Sequence, residues 1–288
     1  MRTVEGLLEK LRAGGVGCLR GGTYSGSVSI TRGGTAKRRL TIMSAPGSRA
    51  TIRGRVEIDN PANYVTVANV TINGSAVDEQ TFQVYGDFAV LRGSDITNDH
   101  RTGSCIQLGS RRYGTAIHPV VVRDRIHGCG ATEFEHGIYA DSSRNGLITR
   151  NYIYDVPGWG VHLYKDADHT LVKNNVIDGS GESGVIFGGD ETSEIGCASS
   201  DNNLVTRNII SFNAKYGIDH YWGCKVGTGN VVSHNCLWHN GKGSYDPDRE
   251  GVAERANRVA NPRYVDHAKH DFRLRRSTGC AGMGPSGR

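Results

Sequence analysis

One phrase returns along this chain: a short apolar strand, an Asn, an apolar pair, a Gly-rich turn, then Gly and a second apolar strand. It is plainest from Asn145 to Asp190, where NGLITRNYIYDVPGWGVHLYKDAD is followed by HTLVKNNVIDGSGESGVIFGGD. Put in register on the Asn, Asn151, Asn175, Asn208 and Asn235 share a column, with Asn69, Ser94 and Asp124 as earlier members and a period of about 24 to 33 residues. That period holds short strands and leaves no room for a crossover helix. Each repeat therefore reads as one coil of a parallel β-solenoid, which buries its apolar side chains against the coils above and below.

An Asn at the same corner of every coil can bond the backbone groups that the turn leaves unpaired, together with the amide of the next coil. The column is read as structural. Thr3 to Arg12 sets Val4, Leu7, Leu8 and Leu11 on one helical face, a lid for the unpaired edge of the first coil. The chain resembles the right-handed parallel β-helix proteins of the pectate lyase-like superfamily. The resemblance rests on the Asn column, on the strand starts at Gly137, Gly160 and Gly217, on the opening GGTYSGSVSI and on the ending NPRYVDHAKHDFRL. It implies an all-β, single-domain fold over 1–288, with an N-terminal cap over 1–20, coils over 21–240 and a C-terminal cap over 241–288. This scaffold hosts lyases, hydrolases, epimerases and adhesins, so it constrains architecture more than activity.

Forty Gly suit a chain that turns every few residues. The net charge of +5 is spread without dense Lys/Arg runs. That argues against nucleic acid and allows an acidic polysaccharide as partner. No apolar run is long enough for membrane insertion, and the resemblance implies a secreted or cell-surface protein without its leader. Seven Cys without C-x-x-C spacing argue against structural zinc. Cys105 with Cys129 and Cys197 with Cys224 would bridge loops of adjacent coils, or stay as free thiols. The oligomeric state is left open.

Aligned on the Gly that opens each second strand, Ile138, Val161, Val185 and Ile218 point inward. Tyr139, His162, Ile186 and Asp219 then point outward, with Asp141, Tyr164, Gly188 and Tyr221 two positions on. Rings among charged groups suit a sugar groove, since rings take the apolar faces of pyranoses and polar groups take their hydroxyls and carboxylates. The same rings would also serve to pack beneath the long insertions at 98–118, 129–135 and 190–203. The expected function is a polysaccharide lyase that cleaves an acidic polymer by β-elimination. Lys165 or His162 is the candidate base, and Tyr139 or Tyr164 the candidate acid. Arg150 is a candidate carboxylate clamp, while His136, Asp219, His220, Tyr221 and Trp222 are candidates for binding substrate. Ca²⁺, as similar lyases use it, would fall to Asp141, Asp166 and Asp190, although solvated loop acids are the favoured reading of these. The competing expectations are a uronate C5-epimerase, a glycoside hydrolase pairing Asp219 with Asp190, and a non-catalytic glycan-binding or surface-structural solenoid.

Overall fold

The computed structural model describes residues 3–192 and 196–285. Positions 1–2 and 286–288 of the expected caps, and 193–195 of the expected 190–203 insertion, lie outside the described residues. Three ten-stranded parallel sheets stack the coils; each coil up to the last gives one strand to each sheet, and in the third sheet the short strand Ala116–Ile117 beside Ile138–Arg144 makes the tenth. In one coil Leu147–Thr149 lies in the first sheet, Tyr152–Val156 in the second and Val161–Asp168 in the third, before the chain returns to the first at Leu171–Lys173. Short apolar strands give this architecture because alternate residues of all three point into one shared interior. Ile148, Val172 and Val205 stack from the first sheet, Ile153, Ile177 and Ile210 from the second, and Ile138, Val161 and Val185 from the third, all fully buried. Each such side chain contributes about 1.5–3 kcal/mol through burial.

The coils begin with Val16–Leu19 and continue through Val252–Arg255 and Arg258–Val259, so they outrun the expected limits of 21 and 240 at both ends. The last strands carry Glu254 in the column of Val232 and Val205, and Arg258 in the column of Cys236 and Ile209, which hid the periodicity. The lid helix is Val4–Lys10, capped by Thr3 Oγ1 accepting from the Gly6 amide at 3.1 Å, with Leu7 and Leu8 packed on the core.

The Asn column is a continuous hydrogen-bonded ladder. The side-chain oxygens of Asn175, Asn208 and Asn235 accept from the backbone N–H of Asn151, Asn175 and Asn208 at 2.8–2.9 Å, and each amide also donates to a carbonyl of the preceding coil. It extends one rung further than expected, to Asn257. At the other end one assignment is displaced by a residue. Ser94 lies opposite Val70, because Asp95 pairs with Thr71, so Asn69 occupies the left-handed corner position (φ 54°) that precedes the ladder. Asp124 substitutes for Asn in the column. Burial raises its carboxyl to about 8, which keeps it protonated and amide-like at neutral pH. Shorter ladders, Asn203–Asn230 and Asn213–Asn240, serve the other corners.

Disulfides join Cys105 to Cys129 and Cys197 to Cys224, the two expected pairs, and Cys236 to Cys280, which was not expected. The last ties the C-terminal hairpin, Tyr264–Asp266 with Asp271–Leu274, to the second sheet. Among the described residues no helix is long and apolar enough to cross a membrane.

Candidate active site

The outer face of the third sheet is uncovered over its middle coils. The register there is Gln107, Tyr139, His162, Ile186, Asp219 on successive rungs. The last four of these side chains, with Trp159, Tyr164, Tyr221 and the loop residue Phe134, line a groove of about 530 Å³. The 129–135 loop forms one wall, where Phe134 is 74% exposed.

His136 lies behind the sheet residue His162, and both are buried. His162 Nδ1 and His136 Nε2 are 3.0 Å apart, and the Trp159 backbone N–H donates to His136 Nδ1 at 3.4 Å. This chain fixes the tautomers. His136 must accept at Nδ1, so its proton sits on Nε2 and is donated to His162 Nδ1, leaving the His162 proton on Nε2. Burial lowers the pKa of both rings, His136 to about 3, so both are neutral at ordinary pH. His162 is thus a neutral donor. The expected role as base does not suit a ring whose accepting nitrogen is already occupied.

Between Ala140↔Leu163 and Ser142↔Asp166 the register slips, so Tyr164 and Lys165 together oppose Asp141. This bulge lets Tyr164 lean over the next rung, where a Cβ on Gly188 would lie 2.6 Å from its ring. Tyr164 OH donates to Asp190 Oδ2 at 2.6 Å; burial first, then Asp190, keeps the phenol protonated. The same bond is the main reason the Asp190 carboxyl is held below its ordinary value, with Lys165 contributing. The Lys165 ammonium lies 6.0 Å from the Tyr164 ring centroid. Tyr139 donates to Asp141 Oδ1 at 3.3 Å, and burial likewise keeps its phenol protonated.

Across the groove, Asp219 Oδ2 accepts from Ser183 Oγ at 2.7 Å. Its carboxyl is raised, mainly by burial and also by the neighbouring Asp246, against the lowering effect of Ser183. Ile186 and Gly188 form a low floor one coil wide. His162 stands on one side of Ile186 and Asp219 on the other, about 10 Å apart over two rungs, while the Tyr164 ring leans over Gly188 to within 6.5 Å of the Tyr221 ring.

Residues 56–246 match the family model for the right handed beta helix region. The chain belongs to the right-handed β-helix family. A sequence search of curated proteins finds no match. Similar solved structures include pectate lyase Pel9A, with TM-score 0.67, 10% identity and coverage of 98% of this chain and 86% of that one. The A-module of the Azotobacter vinelandii mannuronan C-5 epimerase AlgE6 is also similar, with TM-score 0.67, 15% identity and coverage of 85% and 67%. The AlgE4 A-module follows at TM-score 0.64, 12% identity and coverage of 85% and 68%. At these identities the likeness is one of fold.

Not every expected site residue of this β-helix meets the groove. Arg150 sits at the corner between the first and second sheets, in the left-handed position (φ 58°) that Arg123 and Arg207 share. Its side chain is therefore a corner residue and not a carboxylate clamp. Trp222 follows the inward alternation, packs on the core and donates from Nε1 to the Glu250 carbonyl at 2.9 Å, while its neighbour Tyr221 is 54% exposed on the groove. Asp166 is buried against Arg111 Nη2 at 2.7 Å and Arg144 Nη2 at 3.6 Å. With Asp166 neutralised by guanidinium groups, Asp141, Asp166 and Asp190 do not fit a calcium ion. Among the described residues the group whose ligand atoms converge within 4.8 Å is His220, Asp246 and Asp248, at the C-terminal end of the groove. His220 was expected to bind substrate, and its sequence-distant Asp partners gave no spacing signal. Trp159 and Phe134 were also missed, because they come from turns outside the aligned strand columns.

Proposed function

We propose that this β-helix binds an acidic polysaccharide along the outer face of its third sheet and cleaves it by β-elimination on the Ile186 floor. The observation that carries the reading is the division of labour across that floor. On one side His162 is a ring that burial keeps neutral and whose free Nε2–H is a donor, whereas on the other Asp219 is a carboxyl whose raised pKa suits proton transfer. A uronate seated between them directs its carboxylate toward His162 Nε2–H and the Lys165 ammonium, while the Tyr164 hydroxyl stays bonded to Asp190. Their hydrogen bonds strengthen as charge moves onto that carboxylate. Asp219 takes the C5 proton, the C5–H electron pair becomes the C4–C5 double bond, and the C4–O4 bond breaks with its pair going to oxygen. The proton held by Asp219 then passes to the departing O4. The three-disulfide framework accords with an exported protein.

Binding without cleavage is the second reading, favoured by one observation: the groove cation Lys215 is already ion-paired with Glu182. The test measures the ultraviolet absorbance of unsaturated product from a panel of uronate polymers. Wild type and Asp219→Asn are compared, with glycan binding followed in parallel by calorimetry. Product from wild type and none from Asp219→Asn supports elimination. Binding without product from any polymer leaves the binding reading in its place.

A further inference from the structure

The outer column that forms the aromatic groove continues toward the N-terminus as Gln107, Gln83 and Glu57 on consecutive rungs. These residues, with Arg55, Glu79 and Tyr113, line a second cavity of about 500 Å³. Gln83 lies three rungs, roughly 14 Å, from His162 on the same face.

A hydrogen-bond chain fixes which way the amides face. Asp141 can only accept, and it takes a bond from Gln107 Nε2 at 3.4 Å. Gln107 Oε1 therefore accepts from Gln83 Nε2 at 3.2 Å, and Gln83 Nε2 also donates to Gln80 Oε1 at 3.2 Å. Gln83 is left with Oε1, which is buried in the cavity wall and has no hydrogen-bond partner. A buried carbonyl oxygen without a donor costs about 1–3 kcal/mol, so the cavity is short of a donor. The remaining charge adds to this. Arg55 is consumed by Glu57, at 3.5 Å, and by Glu79, while Asp59 adds another carboxylate to the lining. The carboxylates here do not converge as metal ligands.

We infer that this cavity is a second subsite for the same polymer, taking a hydroxyl- or amine-rich sugar residue that carries no carboxylate. The inference rests on the reading that a glycan lies along the third sheet. It narrows the substrate to a heteropolymer in which a uronate at the Ile186 floor is followed, a few residues away, by a neutral or amino sugar. A pure polyuronate would place an anion among acceptors.

The experiment is calorimetry on the full chain with neutral hexose, amino-sugar and uronate oligosaccharides. Wild type is compared with Gln83→Leu, Glu57→Gln, the fold-safe lip variant Tyr113→Ala and Trp159→Ala in the aromatic groove. Gln83→Leu and Tyr113→Ala are each expected to weaken neutral or amino-sugar oligosaccharides about tenfold and to leave uronate oligosaccharides unchanged. Glu57→Gln separates the two sugars, since it weakens the amino sugar and spares the neutral one. If Trp159→Ala alone weakens binding, the glycan groove stands and the second subsite is overturned. If no oligosaccharide binds, or none of these variants changes any affinity, the subsite and the groove reading fall together.

Discussion

The outer faces of the second and third sheets carry the same kind of side chain and meet opposite fates. On the second sheet Tyr152, Tyr154, Val176 and Ile209 point outward, and the C-terminal hairpin covers them with Tyr264 and Phe272, joined by Met283 from the segment after it. Its polar groups are satisfied under that cover: Ser211 donates to Asp178, and His267 Nε2 lies 2.7 Å from the same carboxylate. On the third sheet Tyr139, His162, Tyr164 and Tyr221 receive no such cover from the described chain. Rings on a solenoid exterior are therefore ambiguous by themselves. What separates packing from binding is whether the chain returns to cover them, and here it covers one face and leaves the next open.

Variants can break that contrast. The largest effect is expected from His162→Ala, which removes a donor from the open face. Product formation should fall about 10²- to 10³-fold, with a stability cost of about 1–3 kcal/mol from the His136 N–H left without its acceptor. A loss of stability with unchanged activity would make the third sheet another packed face. Phe272→Ala on the covered face should do the reverse, costing about 3 kcal/mol in denaturant unfolding while oligosaccharide affinity at the groove stays as in wild type.

pH should divide the two faces by sign. His136 has a folded pKa near 3, below its ordinary value of 6.5, so the stability tied to its neutral form is intact above 6.5 and is lost as pH falls toward 3. His267 is raised, first by its hydrogen bond to Asp178, so its contribution is full below 6.5 and fades as pH rises through its folded pKa. Hydrogen exchange across pH 4 to 8, a window of roughly these pKa values, should show the 136–164 segment loosening at the acid end while the 264–274 hairpin loosens at the alkaline end. Loosening of both at the same end would contradict the contrast. The smallest effect is expected from Arg150→Lys, a corner residue of neither face, with stability and product formation within about 0.5 kcal/mol of wild type.

Much of this was legible in the residues. The spacing of Asn151, Asn175, Asn208 and Asn235, with only short strands and Gly-rich turns between them, determined a parallel solenoid, because such a repeat leaves no room for a crossover helix. Strand alternation determined that Tyr139, His162, Ile186 and Asp219 share an outer column, because the side-chain period of a strand is two and the register is pinned by the buried aliphatics. Local pattern could not determine what depends on chain segments far apart. Asn257 and the last coils were hidden by charged strands. The pairing of Cys236 with Cys280, the occupation of Asp166 by Arg111 and the cover over the second sheet all depend on where loops and the C-terminus fold back. The bulge at Tyr164–Lys165 and the backbone N–H of Trp159 decided where Lys165 sits and which nitrogen of His162 carries the proton, since proton placement follows three-dimensional donor chains. The sequence by itself determined the scaffold and the face; the tertiary structure decided which face stays open and which of its groups can give or take a proton.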